Sequence, residues 1–243
     1  MQYLKEAIRT VELELQKMGK VLWGKPNTPM QMNYRPELDV TPILGPNQAN
    51  YYQSLIGVLC WAVELGRINI HIDVSILSSH LAQPRVGHLN QALHIFSYLK
   101  HHINSHLFFD PNYVIWNNAD FHEYDWTDFY HEAKEAIPPN APEPRGHAVQ
   151  INAFVDADHA GNRITRRSHT SILIYLNHAP ITWYSKAQNT VESSTFGSEF
   201  IAMRILVDML ESLRYKLHML GIPIDGAANV FCDNNSVVIN SIQ

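Results

Sequence analysis

Cysteine is scarce in this chain. Cys60 and Cys232 are the only two among 243 residues, and their spacing offers neither a disulfide framework nor a zinc site. They read as reduced, buried thiols, which points to an intracellular chain, cytoplasmic or nuclear. No apolar run reaches the ~18–20 residues that a membrane span requires. Residues Met1 to Glu6 carry no apolar signal region. Neither a membrane partner nor secretion is therefore expected. Basic charge is also short, with 18 Lys and Arg against 23 Asp and Glu and a net charge of −5. That balance excludes a globally basic nucleic-acid surface and leaves room only for a local one. Internal repeats and low-complexity stretches are absent. Histidine, by contrast, is abundant at 14. The cluster His94, His101, His102 and His106 has no acid placed to complete a metal site, so these read as surface or satisfied side chains.

What is present falls into two halves of different period. Leu4, Ile8, Val11, Leu15 and Met18 repeat at three and four residues and predict an amphipathic helix over 3–18, stopped by Gly19. Five prolines between residues 24 and 48 predict an extended connector. Two apolar stripes follow, Leu55, Ile56, Leu59, Ala62 and Val63, then Ile72, Ile76, Leu77 and Leu81, predicting two helices parted near Gly66. Residues 88–100 predict another, with Leu89, Ala92, Leu93, Phe96 and Leu99 on one face. Leu107 to Phe109 suggest a short strand. Residues 112–135 mix aromatics with acids, either as a docking surface or as an irregular insert packed on the helices by its rings. Four prolines within Ile137–Pro144 predict a linker and a domain boundary.

Beyond that linker the apolar period becomes two. Val149, Ile151, Ala153 and Val155 predict a strand ending at Asp156. Strands are also predicted at 171–176, 181–185 and 228–232. A long helix is predicted over 195–220, capped by Gly221 and Pro223, and a last helix over 236–242. This order implies a mixed sheet, an antiparallel meander followed by a parallel crossover. Three carboxylates occupy strand-end, helix and strand-end settings: Asp156, Glu199 and Asp233. Acids converging from such elements repel one another and call for cations, and hard oxygen donors suit Mg²⁺. Asp158, two residues past Asp156, is a supporting candidate if the strand remains regular. Asp233 has an alternative reading as a turn or cap acid before the last helix.

Several motifs then occur in a specific order: Val155-Asp156-Ala157-Asp158-His159-Ala160-Gly161, Arg166-Arg167-Ser168, Ile181 to Gln188, Ser193 to Ala202, and Phe231-Cys232-Asp233-Asn234. Together they resemble the ribonuclease H domain of copia-type LTR retrotransposon Pol polyproteins. Upstream, Tyr51 to Leu59 and Leu93 to Lys100 are similar to the end of the same family's reverse transcriptase and its tether. Residues 112–145 match least well. The resemblance implies that Asp156, Glu199 and Asp233 hold two divalent ions, Mg²⁺ or Mn²⁺, with Asp158 assisting. It implies hydrolysis of the RNA strand of an RNA–DNA hybrid, sensed through 2′-hydroxyls and groove shape. Arg163, Arg166, Arg167 and Lys186 are placed along the phosphate track or, alternatively, in solvated turns. Ser194 and Thr195 either touch the hybrid backbone or cap the helix, and Asn234 either touches it or serves a turn.

The chain also departs from the pattern. It has no Tyr-x-Asp-Asp motif, so polymerisation by this chain alone is not expected, though an upstream palm and fingers are a possible partner. The family's ribonuclease H continues past Gln243 to a further strand, helix and fourth metal-site residue. His159 stands where tryptophan is common, Ser171 where glycine is common, and Asn69 where aspartate is common. The expected architecture is α/β. It comprises a thumb-like helix and connector (1–48), a helical tether (49–136), a linker (137–145) and a ribonuclease H-like mixed sheet lacking its last strand and helix (146–243). Weak or absent turnover is expected. The alternatives are an inactive retroelement remnant and a repurposed nucleic-acid- or protein-binding module.

Overall fold

The computed structural model describes residues 2–22, 24–117, 121, 127–131 and 134–241, without the side chains of Phe129 and Tyr130. Contacts divide the chain into two compact units. One is Met1–Leu107 with Asn162–Arg166 and Ser185–Ala187, and the other is Phe108–Gly161 with Arg167–Tyr184 and Gln188–Gln243.

The elements that Met1–Leu107 contributes to the first unit are, among the described residues, helical. α1 (Gln2–Lys17) buries Leu4, Ile8, Val11 and Leu15, the spacing read from the sequence, while Met18 stays exposed. A single 3₁₀ turn, Pro36–Leu38, interrupts the proline-rich connector. α2 (Pro46–Glu64) starts earlier than the sequence suggests because Pro46 supplies a pre-formed first helical turn. Its predicted stripe is buried throughout. α3 (His71–Ser78) corrects the second stripe. Ile72 is exposed, Leu77 faces the core as the stripe predicts, and Ile70 and Val74 join it there. α4 (Val86–His101) buries Ala92, Ile95, Phe96 and Leu99. The Tyr52 hydroxyl donates to the Leu77 carbonyl at 2.8 Å, so a large buried ring keeps its polar tip satisfied. Leu107, Phe108 and Phe109 form no strand, and Phe108 and Phe109 are exposed.

The second unit is built on a four-stranded mixed sheet in the order β3-β2-β1-β4. β1 (Ile151–Asp158) pairs antiparallel with β2 (His169–Leu176) and parallel with β4 (Asn229–Cys232). β3 (Ala179–Ala187) lies at the edge, reached through a turn in which Asn177 takes φ 54°. Pro180 falls inside β3 rather than in the turn, which an edge strand tolerates because no neighbour needs its N–H. A short helix, α5 (Thr127–Tyr130), lies in the acidic aromatic segment, part of which, Tyr124 and Trp126 included, is outside the described residues. Of the described rings of that segment, Trp116 and Phe121 pack on the sheet, not on helices. Trp116 lies 4.7 Å and Phe121 5.7 Å from the Phe231 ring, and Phe231 stacks on Phe154 at 4.8 Å.

α6 (Thr195–Met219) covers the opposite face of β1. Ile151, Ala153, Val155 and Ala157 bury against Ala202, Leu206, Leu210 and Leu217. Alanines at the contact let helix and sheet approach closely. Phe200, Val207 and Leu220 fit the apolar repeat of the predicted helix but are exposed, since a 25-residue helix shows only part of its apolar girth to a narrow sheet. Gly221, at φ 66°, ends α6 in a Schellman turn: Ile222 N–H donates to Leu217 O and Gly221 N–H to His218 O, both at 2.9 Å. The proline-rich segment 137–144 has no helix or strand and lies within this unit. Arg145 N–H donates to Gly221 O at 2.9 Å, anchoring its end to the α6 terminus. α7 (Asn235–Ser241) follows β4 directly, and Ile242, predicted as its last residue, lies outside the described residues.

Truncating Leu206, which is fully buried, to alanine is expected to cost about 3 kcal/mol. Truncating exposed Phe200 should cost less than about 1 kcal/mol. Urea unfolding of both variants checks the contrast.

Candidate metal centre

β1 does not end at Asp156. It continues regularly to Asp158, which pairs with His169. Strand alternation therefore turns Phe154, Asp156 and Asp158 to the exposed face while Val155 and Ala157 face the core. The parallel register with β4 pairs Asn152 with Asn229 and ends at Val155 opposite Cys232. Asp233 thus leaves β4 beside Asp156. The two asparagines reinforce this register, Asn229 Nδ2 donating to Asn152 Oδ1 at 2.9 Å.

Glu199 enters from α6. Ser194 caps that helix by accepting from the Gly197 N–H at 3.1 Å, which sets Glu199 one turn inside, on the buried side. Glu199 is only 6% exposed. Its Oε2 is fully buried and has no hydrogen-bond partner among the described residues. A carboxylate oxygen of Glu199, one of Asp233 and the Cys232 thiol sulfur all lie within 4.8 Å of one another.

Electrostatics bind Asp156 to the same group. Burial first, and then the charges of Asp233 and Asp158, push its carboxyl above the usual range, against a lowering contribution from the Ala157 N–H. Glu199 is pushed up to about 7, chiefly by burial and further by Asp156 and Asp233. The Cys232 thiol is also raised, by burial first and then by the acids around it. Three carboxylates thus share a space in which their joint ionisation is unfavourable. A buried, unpartnered carboxylate oxygen among hard donors fits a divalent cation.

Asp158 shares the face of Asp156, but its carboxylate lies against Gly161. A Cβ on Gly161 would fall 1.9 Å from Asp158 Oδ2. Ser194 is committed to its cap, and Thr195 is exposed in the first turn. Asn234 caps α7 by accepting from Val237 N–H at 3.2 Å. The capping duty considered for Asp233 therefore falls on Asn234, and Asp233 is left to the acidic cluster. Arg163, Arg166, Arg167 and Lys186 are all exposed. Arg163 and Arg166 sit in a turn organised by Asn162, whose Oδ1 accepts from Ile164 N–H at 3.1 Å and from Thr165 N–H at 2.8 Å. They group with Lys186 in the first unit, while Arg167 groups with the acids in the second.

A cavity of about 1900 Å³ opens beside the acids, lined by Asp156, Cys232 and Asp233 and by Phe154, Phe200 and Arg204. Two of these were missed in the sequence. Cys60 and Cys232, expected to be buried thiols, are exposed and half-buried respectively, and alternation along β4 puts Cys232 on the same side as Val230. Arg204 lies four residues beyond Phe200, a helical step that was legible once Phe200 was taken as exposed.

No known family model matches the chain, and no solved structure matches it. Among curated proteins it is similar to the retrovirus-related Pol polyprotein from transposon RE2 of Arabidopsis thaliana, 31% identical over 90 residues. It is similarly 30% identical over 90 residues to that from transposon RE1 of the same plant. Each match covers 37% of this chain and 6% of the relative, so the aligned part is a small fraction of those polyproteins. The similarity supports an origin in a retrotransposon Pol polyprotein. Among the described residues, no helix is long and apolar enough to cross a membrane.

Glu199 carries a pH signature. Its carboxyl stands at about 7 when folded against an ordinary 4.5, so the folded state holds its proton over that interval while the unfolded state releases it. Metal-free stability should fall as pH rises from 4.5 to about 7 and then level off. Glu199→Gln should remove the fall and stabilise the metal-free protein at alkaline pH by on the order of 2 kcal/mol. Urea titrations in chelator on either side of this interval test it. A steeper fall in the variant would contradict the assignment.

Proposed function

We propose that residues 146–243 act as a ribonuclease H-like nuclease, hydrolysing the RNA strand of an RNA–DNA hybrid with Mg²⁺ or Mn²⁺. The observation that carries this reading is the gathering of acids from β1, α6 and β4, with Glu199 buried and one of its oxygens unpartnered. Carboxylates so placed suit two ions better than a proton relay, because each acid destabilises the charge of the next. Bound divalent ions supply an activated water and neutralise the leaving oxygen in phosphodiester hydrolysis.

The chain's own groups supply placement. Asp156 presents its oxygens from within β1 and Asp233 from just past the end of the adjacent parallel β4, and Glu199 closes the set from the core side. The proton that Glu199 retains near neutrality is released when positive charge enters the site, so cation binding is expected to tighten as pH rises. Arg163, Arg166, Arg167 and Lys186 are assigned to backbone phosphates of the hybrid, and Ser194, Thr195 and Asn234 to its margin. Residues 1–48 are assigned to a thumb-like helix and connector, 49–136 to a tether and 137–145 to a linker, with an upstream palm and fingers as the polymerising partner. The copia-type origin and an intracellular site of action belong to the same reading.

One observation favours a second reading, a folded remnant or binding module without turnover. The Asp158 carboxylate lies against Gly161, which reduces the oxygen donors to three acids.

Cleavage of a labelled RNA–DNA hybrid in Mg²⁺, with duplex DNA as control, separates the two. The expected result is hybrid-specific cleavage that drops at least about 100-fold in Asp156→Asn, Glu199→Gln and Asp233→Asn. A folded chain that leaves the hybrid intact would sink the nuclease reading in favour of the remnant.

A further inference from the structure

Cys232 has no part in the nuclease reading, yet its sulfur lies among the acids. We infer that Glu199, Cys232 and Asp233 form a mixed sulfur–oxygen site that takes a thiophilic divalent cation, of the Zn²⁺ or Cd²⁺ class, in preference to Mg²⁺. The inference rests on donor geometry alone and stands whether or not the chain cleaves a hybrid.

Three observations carry it. The sulfur and the two carboxylate oxygens lie within 4.8 Å of one another. Tetrahedral coordination with ordinary Zn–S and Zn–O bonds needs donors about 3.6 Å apart, so side-chain adjustments of about 1 Å close the site. Second, Glu199 is 6% exposed and its Oε2 is buried without a hydrogen-bond partner among the described residues. Such an oxygen lacks a donor that a cation would replace. Third, Cys232 is a free thiol of intermediate exposure, and with Asp233 it lines the large cavity, which gives an ion a way in.

The chemistry selects among ions. Mg²⁺ demands about six oxygens in near-octahedral order and is a poor partner for sulfur, whereas Zn²⁺ and Cd²⁺ accept four donors and favour thiolate. On binding, the S–H bond of Cys232 breaks and its proton leaves to solvent, as does that of Glu199 where it is protonated, and one metal–sulfur and two metal–oxygen bonds replace three metal–water bonds. The fourth position stays open to water. Asp156, which feels the charge of Asp233, stands on the far side of β1 from the core and is left out of the set.

Cadmium is the probe, because thiolate coordination produces an ultraviolet charge-transfer band. In the full chain carrying Cys60→Ser, titration with CdCl₂ in excess MgCl₂ is expected to raise that band to saturation at one equivalent. Cys232→Ser should abolish it, and Glu199→Gln or Asp233→Asn should weaken affinity at least about 10-fold. Should a variant misfold by circular dichroism, the Cys60→Ser chain alone still decides the matter, since Zn²⁺ must then protect Cys232 from maleimide while Mg²⁺ does not. A band that survives Cys232→Ser, an affinity indifferent to both acids, or a folded chain with neither band nor protection would each overturn the inference. Hybrid cleavage is measured separately in Mg²⁺ with no thiophilic ion added, because Glu199 and Asp233 serve both readings and a bound Zn²⁺ or Cd²⁺ competes with Mg²⁺ for them.

Discussion

The contact on which the second unit depends is the close seating of α6 across β1. Ala153, Val155 and Ala157 on the strand and Ala202 and Leu206 on the helix are all buried, and small side chains set the spacing. This contact decides where Glu199 lies. Were the strand side chains larger, the helix would stand off and the carboxylate would be lifted toward water, where its ionisation would cost little. Instead apolar packing holds an acid where it is unfavourable as an anion, and the stability of the core sustains a locally strained charge distribution.

That tension gives the acidic cluster its character. Salt bridges between described residues lie elsewhere, as in Arg214 and His218 on Glu135, where the arginine draws the Glu135 carboxyl below its ordinary range. The centre is treated differently: Asp156 and Glu199 are raised by burial and by like charge. One protein thus keeps two kinds of carboxylate, one neutralised by side chains and one left for something external. This distinction, more than the number of acids, separates a structural ion pair from a cluster of acids that repel one another.

Much of this was legible in the sequence, for identifiable reasons. The stripe of α1 and the alternation of β1 survive because each element presents one apolar face to one neighbour. The Gly221 stop was readable because a positive φ favours glycine. Errors arose where neighbours rather than periodicity decide. Phe200 and Val207 fit the helical repeat but find no partner, and Ile72 lost its place to Val74 and Ile70. Leu107 to Phe109 have strand composition without a strand to pair with. At the centre, Asp156 and Asp233 stood out as acids closing apolar runs, and Glu199 as an acid near the start of a helical pattern. The role of Asn234 as a cap and the direction taken by the Asp158 carboxylate are properties of turns that one sequence does not specify.

The pairing of Asn152 with Asn229 acts as a ruler. Each acid lies four positions beyond its asparagine, Asp156 beyond Asn152 and Asp233 beyond Asn229, so the two carboxylates arrive at the same height because both strands count from the same mark. Because side chains alternate, a single inserted or deleted residue within either short span would reverse the faces and part the acids. The turns at Asn162–Arg166 and Gly226 lie outside those spans, and length changes there leave the count intact. The history of such a chain is then written unevenly: loops can lengthen or shorten freely, while two stretches of five residues tolerate substitution but not a change of length.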